Sequence, residues 1–151
     1  MNKLIIAACA AVLLATACGN RTESGSESME KTIETSNCVK QEMQSDGIVR
    51  LSKIEVYPEY LEEYMRYAVE VGETSLRTEP GVLTMYALAD KENPCMITIL
   101  ETYASEEAYH KHIASGHFQK YKQGTLHMVK SLVLSDQTPL NPSSHISNWV
   151  E

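Results

Sequence analysis

Cysteine, basic residues and long apolar runs are all scarce in this sequence. Its 151 residues include four cysteines, none in the C-x-x-C spacing of zinc and redox motifs. Lysine and arginine number 13 against 20 acidic residues, for a formal net charge of −7. Because the chain has no basic cluster, we expect no nucleic-acid partner. No Gly-rich phosphate loop follows a predicted strand, and no His/Cys/Asp cluster has metal-ligand spacing, so the sequence predicts no metal.

The first 18 residues have the pattern of an export signal. A charged start precedes an apolar run from Leu4 to Leu14, shorter than the roughly 20 residues that span a bilayer. Residues 15–17, Ala-Thr-Ala, lead into Cys18, which resembles the lipobox of bacterial lipoproteins, where the cysteine is acylated. Ala15 stands where leucine is usual, and Ala-Thr-Ala also fits an ordinary signal-peptidase site, so a secreted soluble protein is the alternative. We expect a signal peptide at 1–17, lipidation at Cys18 and a cell-envelope location, on the periplasmic or surface face of a membrane.

Composition divides the remaining chain into a tether, one domain and a tail. Residues 18–46 are rich in Ser, Thr, Glu and Gln and have few large apolar residues, which predicts a polar tether. The domain is predicted at 47–136 and a loose tail at 137–151. Cys38 and Cys95 could pair in an oxidising compartment, but two cysteines do not make a framework, and their pairing stays open.

The domain alternates between strand and helix periodicity. The predicted strands are 48–56, 82–89, 95–103 and 125–135. One helix runs from Glu59 to the break at Glu79-Pro80-Gly81, and another follows the capping residue Ser105, with a further helical piece after Gly116. The order β-α-β-β-α-β predicts a ferredoxin-like α+β fold, with an antiparallel sheet and the helices on one face. Since strands 2 and 3 are apolar on both faces, we expect a homodimer that covers the second face.

Four short motifs, in this order, resemble those of the antibiotic biosynthesis monooxygenase family. They are Glu79-Pro80-Gly81-Val82, Leu100-Glu101-Thr102-Tyr103, Ser105-Glu106-Glu107-Ala108 and His112-x4-His117-Phe118. The resemblance covers about Gly47 to Ser135 and implies a dimeric α/β barrel. The family includes quinol monooxygenases, polyketide oxygenases, haem-degrading enzymes and an isomerase. The haem-degrading branch uses a core tryptophan, which this domain lacks, so haem is not expected.

The resemblance implies a cofactor-independent monooxygenase that oxidises a quinol or a similar small aromatic with O₂. Such a reaction needs a base that deprotonates the phenol, and histidine suits that role near neutral pH. His112 and His117 are the candidate bases. Glu101 lies on an apolar strand face, where a carboxylate needs a partner, so it is expected either to orient one of these histidines or to form an ion pair across the dimer interface.

Aromatic side chains of the domain are candidates for the wall of a substrate pocket. They are Tyr64, Tyr86, Tyr103 and Phe118. The alternative is that they are ordinary core residues. Two other functions stay open for the whole chain: a ligand-binding lipoprotein that has lost the chemistry, and a non-oxidative isomerase that uses the same histidine as its base.

Overall fold

The computed structural model describes residues 38–141. The predicted signal peptide, Cys18 and most of the predicted tether and tail lie outside the described residues. The elements are β1 (Ile48–Val56), a 3-10 turn (Pro58–Tyr60), α1 (Leu61–Thr78), β2 (Val82–Ala89), β3 (Met96–Tyr103), α2 (Glu106–Ala114), α3 (Gly116–Thr125) and β4 (Val129–Asp136). Within 38–141 no helix is both long enough and apolar enough to cross a membrane.

The four strands form one antiparallel sheet in the order β2-β3-β1-β4. In the strand register Ile54 faces Ile97, and Ser52 faces Ile99, so these side chains share one face of the sheet. The core lies between this face and the helices, where Ile54, Ile97 and Ile99 pack with Tyr64 of α1. The predicted ferredoxin-like α+β fold is therefore confirmed.

The helix ends follow from local sequence. Glu79 caps the C-terminus of α1 in an extended conformation (φ −108°, ψ 108°), as expected for a residue that precedes a proline. Ser105 caps α2 by accepting a hydrogen bond from the backbone N–H of Ala108. Ser115 ends α2 and also begins α3, because its extended backbone (φ −66°, ψ 150°) breaks the helix and its hydroxyl accepts from the N–H of Phe118.

The fourth strand begins later than predicted. β4 starts at Val129, whereas residues up to Thr125 belong to α3. The Thr125 hydroxyl donates to the carbonyl of Tyr121, and the N–H of Met128 donates to the carbonyl of Thr125 at 2.9 Å, so the chain makes a turn here. The strand predicted from the alternation of Leu126 and Met128 is therefore wrong at these residues. Leu126 is 75% exposed, and Met128 is buried in the core.

Residues 38–46, at the end of the predicted tether, form hydrogen bonds with the domain. The N–H of Gln41 donates to the carbonyl of Pro80 at 3.0 Å, and that of Gln44 donates to the carbonyl of Ala104 at 2.8 Å. The Lys40 ammonium donates to the carbonyl of Glu79 at 3.0 Å, which satisfies an orphan group at the end of α1. Cys38 and Cys95 are both free thiols.

Candidate active site

A cavity of about 960 Å³ lies on the side of the sheet that carries the helices. Strand residues Ser52, Ile99 and Glu101 contribute to its wall, and so do His112 of α2 and Phe118 of α3. Most of the remaining lining is aliphatic or aromatic. A mainly apolar cavity with a few converging polar groups is typical of small-molecule sites.

A cluster of one carboxylate and two imidazoles lies beside this cavity. His112 Nδ1 is 2.9 Å from Glu79 Oε1, and His117 Nε2 is 2.7 Å from the same oxygen. The His112 side chain is almost fully buried, at 2% exposed, whereas Glu79 and His117 are 16% and 21% exposed. His112 therefore lies between the cavity and the more accessible pair.

The helix break at Ser115 brings the two histidines together. On a continuous α-helix, residues five apart point about 140° away from each other. Ser115 interrupts the helix between His112, in the last turn of α2, and His117, in the first turn of α3. Both rings can therefore reach Glu79, which the end of α1 and the following proline hold in place.

The hydrogen bonds fix the protonation pattern of the cluster. Burial raises the pKa of Glu79, but the hydrogen bonds and charges of His112 and His117 outweigh it, so the pKa lies below its ordinary value. Glu79 is then a carboxylate at neutral pH, and an oxygen that only accepts requires His112 to carry its proton on Nδ1. In the neutral ring the lone pair is then on Nε2, and the His112 side chain is part of the cavity wall.

Aromatic rings hold the His112 imidazole from two sides. The Phe118 ring meets it edge-on at 4.8 Å between centroids, and the Tyr103 ring lies 5.3 Å away. Tyr109 packs edge-on against Tyr103 at 5.3 Å. These ring contacts, together with the hydrogen bond from Nδ1 to Glu79, support the orientation of the imidazole.

The structure does not pair Glu101 with either histidine. Its two carboxylate oxygens accept hydrogen bonds from the Ser52 hydroxyl and, at 2.8 Å, from the Tyr103 hydroxyl. The expected orienting contact is therefore wrong, and the partner of the histidines is Glu79. Within the chain, Arg50, the neighbour of Glu101 in the strand register, forms an ion pair with Asp136 at 2.6 Å. An ion pair of Glu101 across a dimer interface stays a prediction. Glu101 still lines the cavity, and its catalytic role stays a prediction.

The four predicted aromatic wall residues have different places. Tyr103 and Phe118 line the cavity, and Tyr86 borders it on the edge strand β2, where it is 52% exposed. Tyr64 does not line it: it is fully buried, and its hydroxyl lies 2.6 Å from that of Tyr121, which does. Burial is the largest cause that raises the pKa of the Tyr64, Tyr103 and Tyr121 hydroxyls, so all three are neutral at physiological pH and able to donate.

Sequence reasoning missed Glu79 as a functional residue. In the sequence Glu79 stands out only as part of a turn motif, and it is 33 residues from His112 and 38 from His117. The oxygen of Glu79 and the two ring nitrogens lie within 4.8 Å of one another, a spacing that could hold a metal ion. The sequence signal for Glu79 is its position directly before Pro80. A helix ends before a proline, so the side chain at that end has a defined position.

Comparison with known proteins agrees with this fold. The family profile described as "Antibiotic biosynthesis monooxygenase" matches residues 47–124. A Bacteroides thetaiotaomicron protein, named as a candidate member of that group, is 55% identical with a TM-score of 0.66, and the match covers 68% of this chain and 97% of that one.

Two further solved structures share the fold. A candidate monooxygenase from Lactobacillus acidophilus is 30% identical with a TM-score of 0.60, over 65% of this chain and 47% of that one. One from Nitrosomonas europaea, at 17% identity and a TM-score of 0.60, covers 68% and 98% and is similar in fold alone. No curated protein matches the sequence. Members of the matched family are generally small homodimers that act on small molecules. The chain belongs to the antibiotic biosynthesis monooxygenase family.

Proposed function

We propose that this domain is a cofactor-independent monooxygenase that oxidises a quinol or a similar electron-rich aromatic with O₂, and that His112 is its base. The observation that carries the proposal is a buried imidazole with Nδ1 held by Glu79 at 2.9 Å and its ring in the wall of a largely apolar cavity. A base held by a carboxylate on one side and free on the other is ready to accept a proton from a bound hydroxyl.

The chemistry requires little more from the protein. His112 Nε2 takes the phenolic proton, and the resulting anion transfers one electron to O₂. The radical pair combines to form a C–O bond, and the protonated imidazole returns its proton to the peroxide. The carbon that carries the hydroperoxide then loses its C–H proton as the O–O bond breaks, so a C=O bond forms and the departing hydroxide leaves with that proton as water. The C–H electron pair of the substrate reduces the second oxygen atom, so the step balances without another reductant.

The surrounding residues support this step in separate ways. Glu79 is a positioning residue, because it keeps the His112 proton on Nδ1 and stabilises the imidazolium that forms. Apolar walls exclude water from the radical pair. The Tyr121 hydroxyl is hydrogen-bonded to that of Tyr64 and lines the cavity, so it can bind a second oxygen of the substrate.

Oxygen consumption with a panel of substituted benzo- and naphthohydroquinones tests the proposal. His112→Ala should lose about 10²- to 10⁴-fold in rate, the usual contribution of a general base. His110→Ala is the matched control, because His110 is exposed on the same helix and should keep the wild-type rate. Glu79→Gln should fall between the two. An unchanged rate in His112→Ala, with intact folding by circular dichroism, would refute the base assignment. A wild type that turns over none of the panel would refute the proposed function.

A second copy of the chain would cover the other face of the sheet. Leu88, Met96 and Val133 share that face and are 48%, 39% and 56% exposed. Exposed apolar side chains on three of the four strands are costly in water unless a partner buries them. Together with the homodimers usual in the family, this supports pairing through the sheet.

The location of the protein is proposed from sequence alone. An acylated Cys18 would attach the domain to a membrane of the cell envelope, with the intervening residues as a tether. Because the formal net charge is −7, we expect attachment to depend on the acyl chains and not on anionic lipid.

A further inference from the structure

We infer that Glu79, His112 and His117 form a binding site for a divalent transition-metal ion of the Zn²⁺ type, on the side of His112 that faces away from the cavity. One oxygen and two ring nitrogens converge there, all within 4.8 Å of one another. The inference deepens the proposed function, and its consequence for catalysis rests on that function, but the site itself does not.

The donor set has the chemistry of a zinc site. Two imidazoles and one carboxylate are typical ligands of catalytic Zn²⁺ and also suit Ni²⁺, Co²⁺ and Fe²⁺. Donors bound to one Zn²⁺ at about 2.0–2.1 Å lie roughly 3.4 Å apart in a tetrahedron. The present separations from Glu79 Oε1, 2.9 Å to His112 and 2.7 Å to His117, must therefore widen by about 0.5 and about 0.7 Å as the ion replaces the two bridging protons.

The site is held firmly and is open to solvent. Its three ligands come from the end of α1, the last turn of α2 and the first turn of α3, so none belongs to a long loop. Glu79 and His117 retain 16% and 21% exposure, which gives an ion a route in and room for a water as fourth ligand. The Ser115 hydroxyl, 3.1 Å from His117 Nε2, is placed to bond that water.

Metal binding would change what His112 presents to the cavity. Without metal, the bond to Glu79 places a proton on Nδ1, and in a neutral ring the lone pair is on Nε2. A metal on Nδ1 displaces that proton, and a neutral imidazole must then carry its proton on Nε2. The cavity would face a hydrogen-bond donor where it had a base. We therefore expect the metal to suppress a reaction that needs His112 as a base, and a chelator to restore it.

Direct metal analysis tests the site without reference to activity. The purified protein is stripped with a chelator and dialysed against Zn²⁺, and bound zinc is measured by elemental analysis. Wild type and His110→Ala should retain about one zinc per chain, whereas His117→Ala should lose it. Loss of a ligand should cost more than the roughly 10- to 100-fold in affinity that loss of an outer-shell partner costs.

A spectroscopic signature distinguishes this site from surface binding. Co²⁺ substitution should give the visible absorption of a four-coordinate ion in wild type and not in His117→Ala or Glu79→Gln. Nitrogen NMR should show the His112 proton move from Nδ1 to Nε2 when Zn²⁺ is added. Wild type that retains no zinc, or variants that bind as wild type does, would overturn the inference. His117→Asn, which keeps a polar side chain, repeats the test if His117→Ala does not fold.

The site and the proposed function fail in different ways. Zinc bound at the site in a protein that oxidises no quinol would leave the metal inference standing and refute the function. Quinol oxidation by a protein that binds no zinc would support the proposed function and refute the metal inference. Zinc bound at full occupancy with an unchanged oxidation rate would overturn the predicted change in His112 and, with it, its role as base.

Discussion

Replacing Gly81 with alanine should disturb both the stability of the domain and the position of its candidate base. A Cβ built at Gly81 would lie 2.4 Å from the Cβ of Ala108 and 3.4 Å from its Cα. Both atoms are carried by the α2 backbone, so the clash cannot be relieved by a side-chain rotation. The helix must move away from the start of β2, and His112 lies one turn further along the same helix.

The expected cost of Gly81→Ala is about 1–3 kcal/mol, the usual penalty for overpacking a well-packed contact. For a domain of about 100 residues, each kcal/mol lowers the melting temperature by roughly 4–8 °C. Thermal and urea unfolding, followed by circular dichroism, measure both quantities. Gly116→Ala is the matched control: a Cβ there meets nothing within 4 Å, and alanine favours the helix, so that variant should be neutral or more stable by up to about 1 kcal/mol.

A double-mutant cycle isolates the contact. Ala108→Gly removes the opposing Cβ at a cost of about 1 kcal/mol in helix propensity. If the clash is the cause, the pair Gly81→Ala and Ala108→Gly should be less destabilised than the sum of the two single changes, with a coupling of about 0.5–3 kcal/mol. Strict additivity, or a Gly81→Ala protein as stable as wild type, would show that the close approach of β2 and α2 does not limit this position.

Three further outcomes follow from the sheet, the strand pairing and the N-terminus. Val133→Asp should shift the protein from dimer to monomer in analytical ultracentrifugation, since a charge on the proposed interface would be buried unpaired; an unchanged dimer would place the interface elsewhere. The hydrogen bond from Arg50 holds the pKa of Asp136 below its ordinary value. The ionised Asp136 therefore adds to the free energy of unfolding above the unfolded pKa of about 3.9, and this stabilisation is lost as pH falls through the folded pKa. Asp136→Asn should therefore lower stability at pH 7 by at most about 1 kcal/mol, and an equal deficit at pH 2 would contradict this cause. Cys18→Ser should move the protein from the membrane fraction to the soluble fraction in its host, and a soluble wild type would refute lipidation.

The elements of the fold could be predicted from sequence because their signals are local. Periodicity of two or near four residues marks strands and helices, and Pro80 and Ser105 mark their ends. The error at residues 125–128 has the same origin. A short alternation of apolar residues is compatible with a strand and with a turn that buries one of them, and only the packing of Met128 in the core decides between them.

The candidate site was only partly predictable because its contacts join residues that are distant in sequence. His112 and His117 are close in sequence, and the break between them is visible as Ser115-Gly116. A carboxylate on an apolar strand face needs a partner, which makes Glu101 a candidate from sequence, but Ser52 and Tyr103 are the partners in the structure. Which of several carboxylates reaches a given imidazole depends on how α1 lies against α2 and α3.

By itself the sequence determined the order of elements, the fold class and two of the three members of the cluster, because each depends on neighbours within about one helical turn or one strand. Only the tertiary structure decided that Glu79 is the carboxylate between the histidines, that Tyr121 and not Tyr64 reaches the cavity, and that three metal-ligating side chains meet at one point. The physical reason is that hydrogen bonds and metal coordination act over about 2–3 Å, and no local pattern specifies a distance between residues more than 30 positions apart.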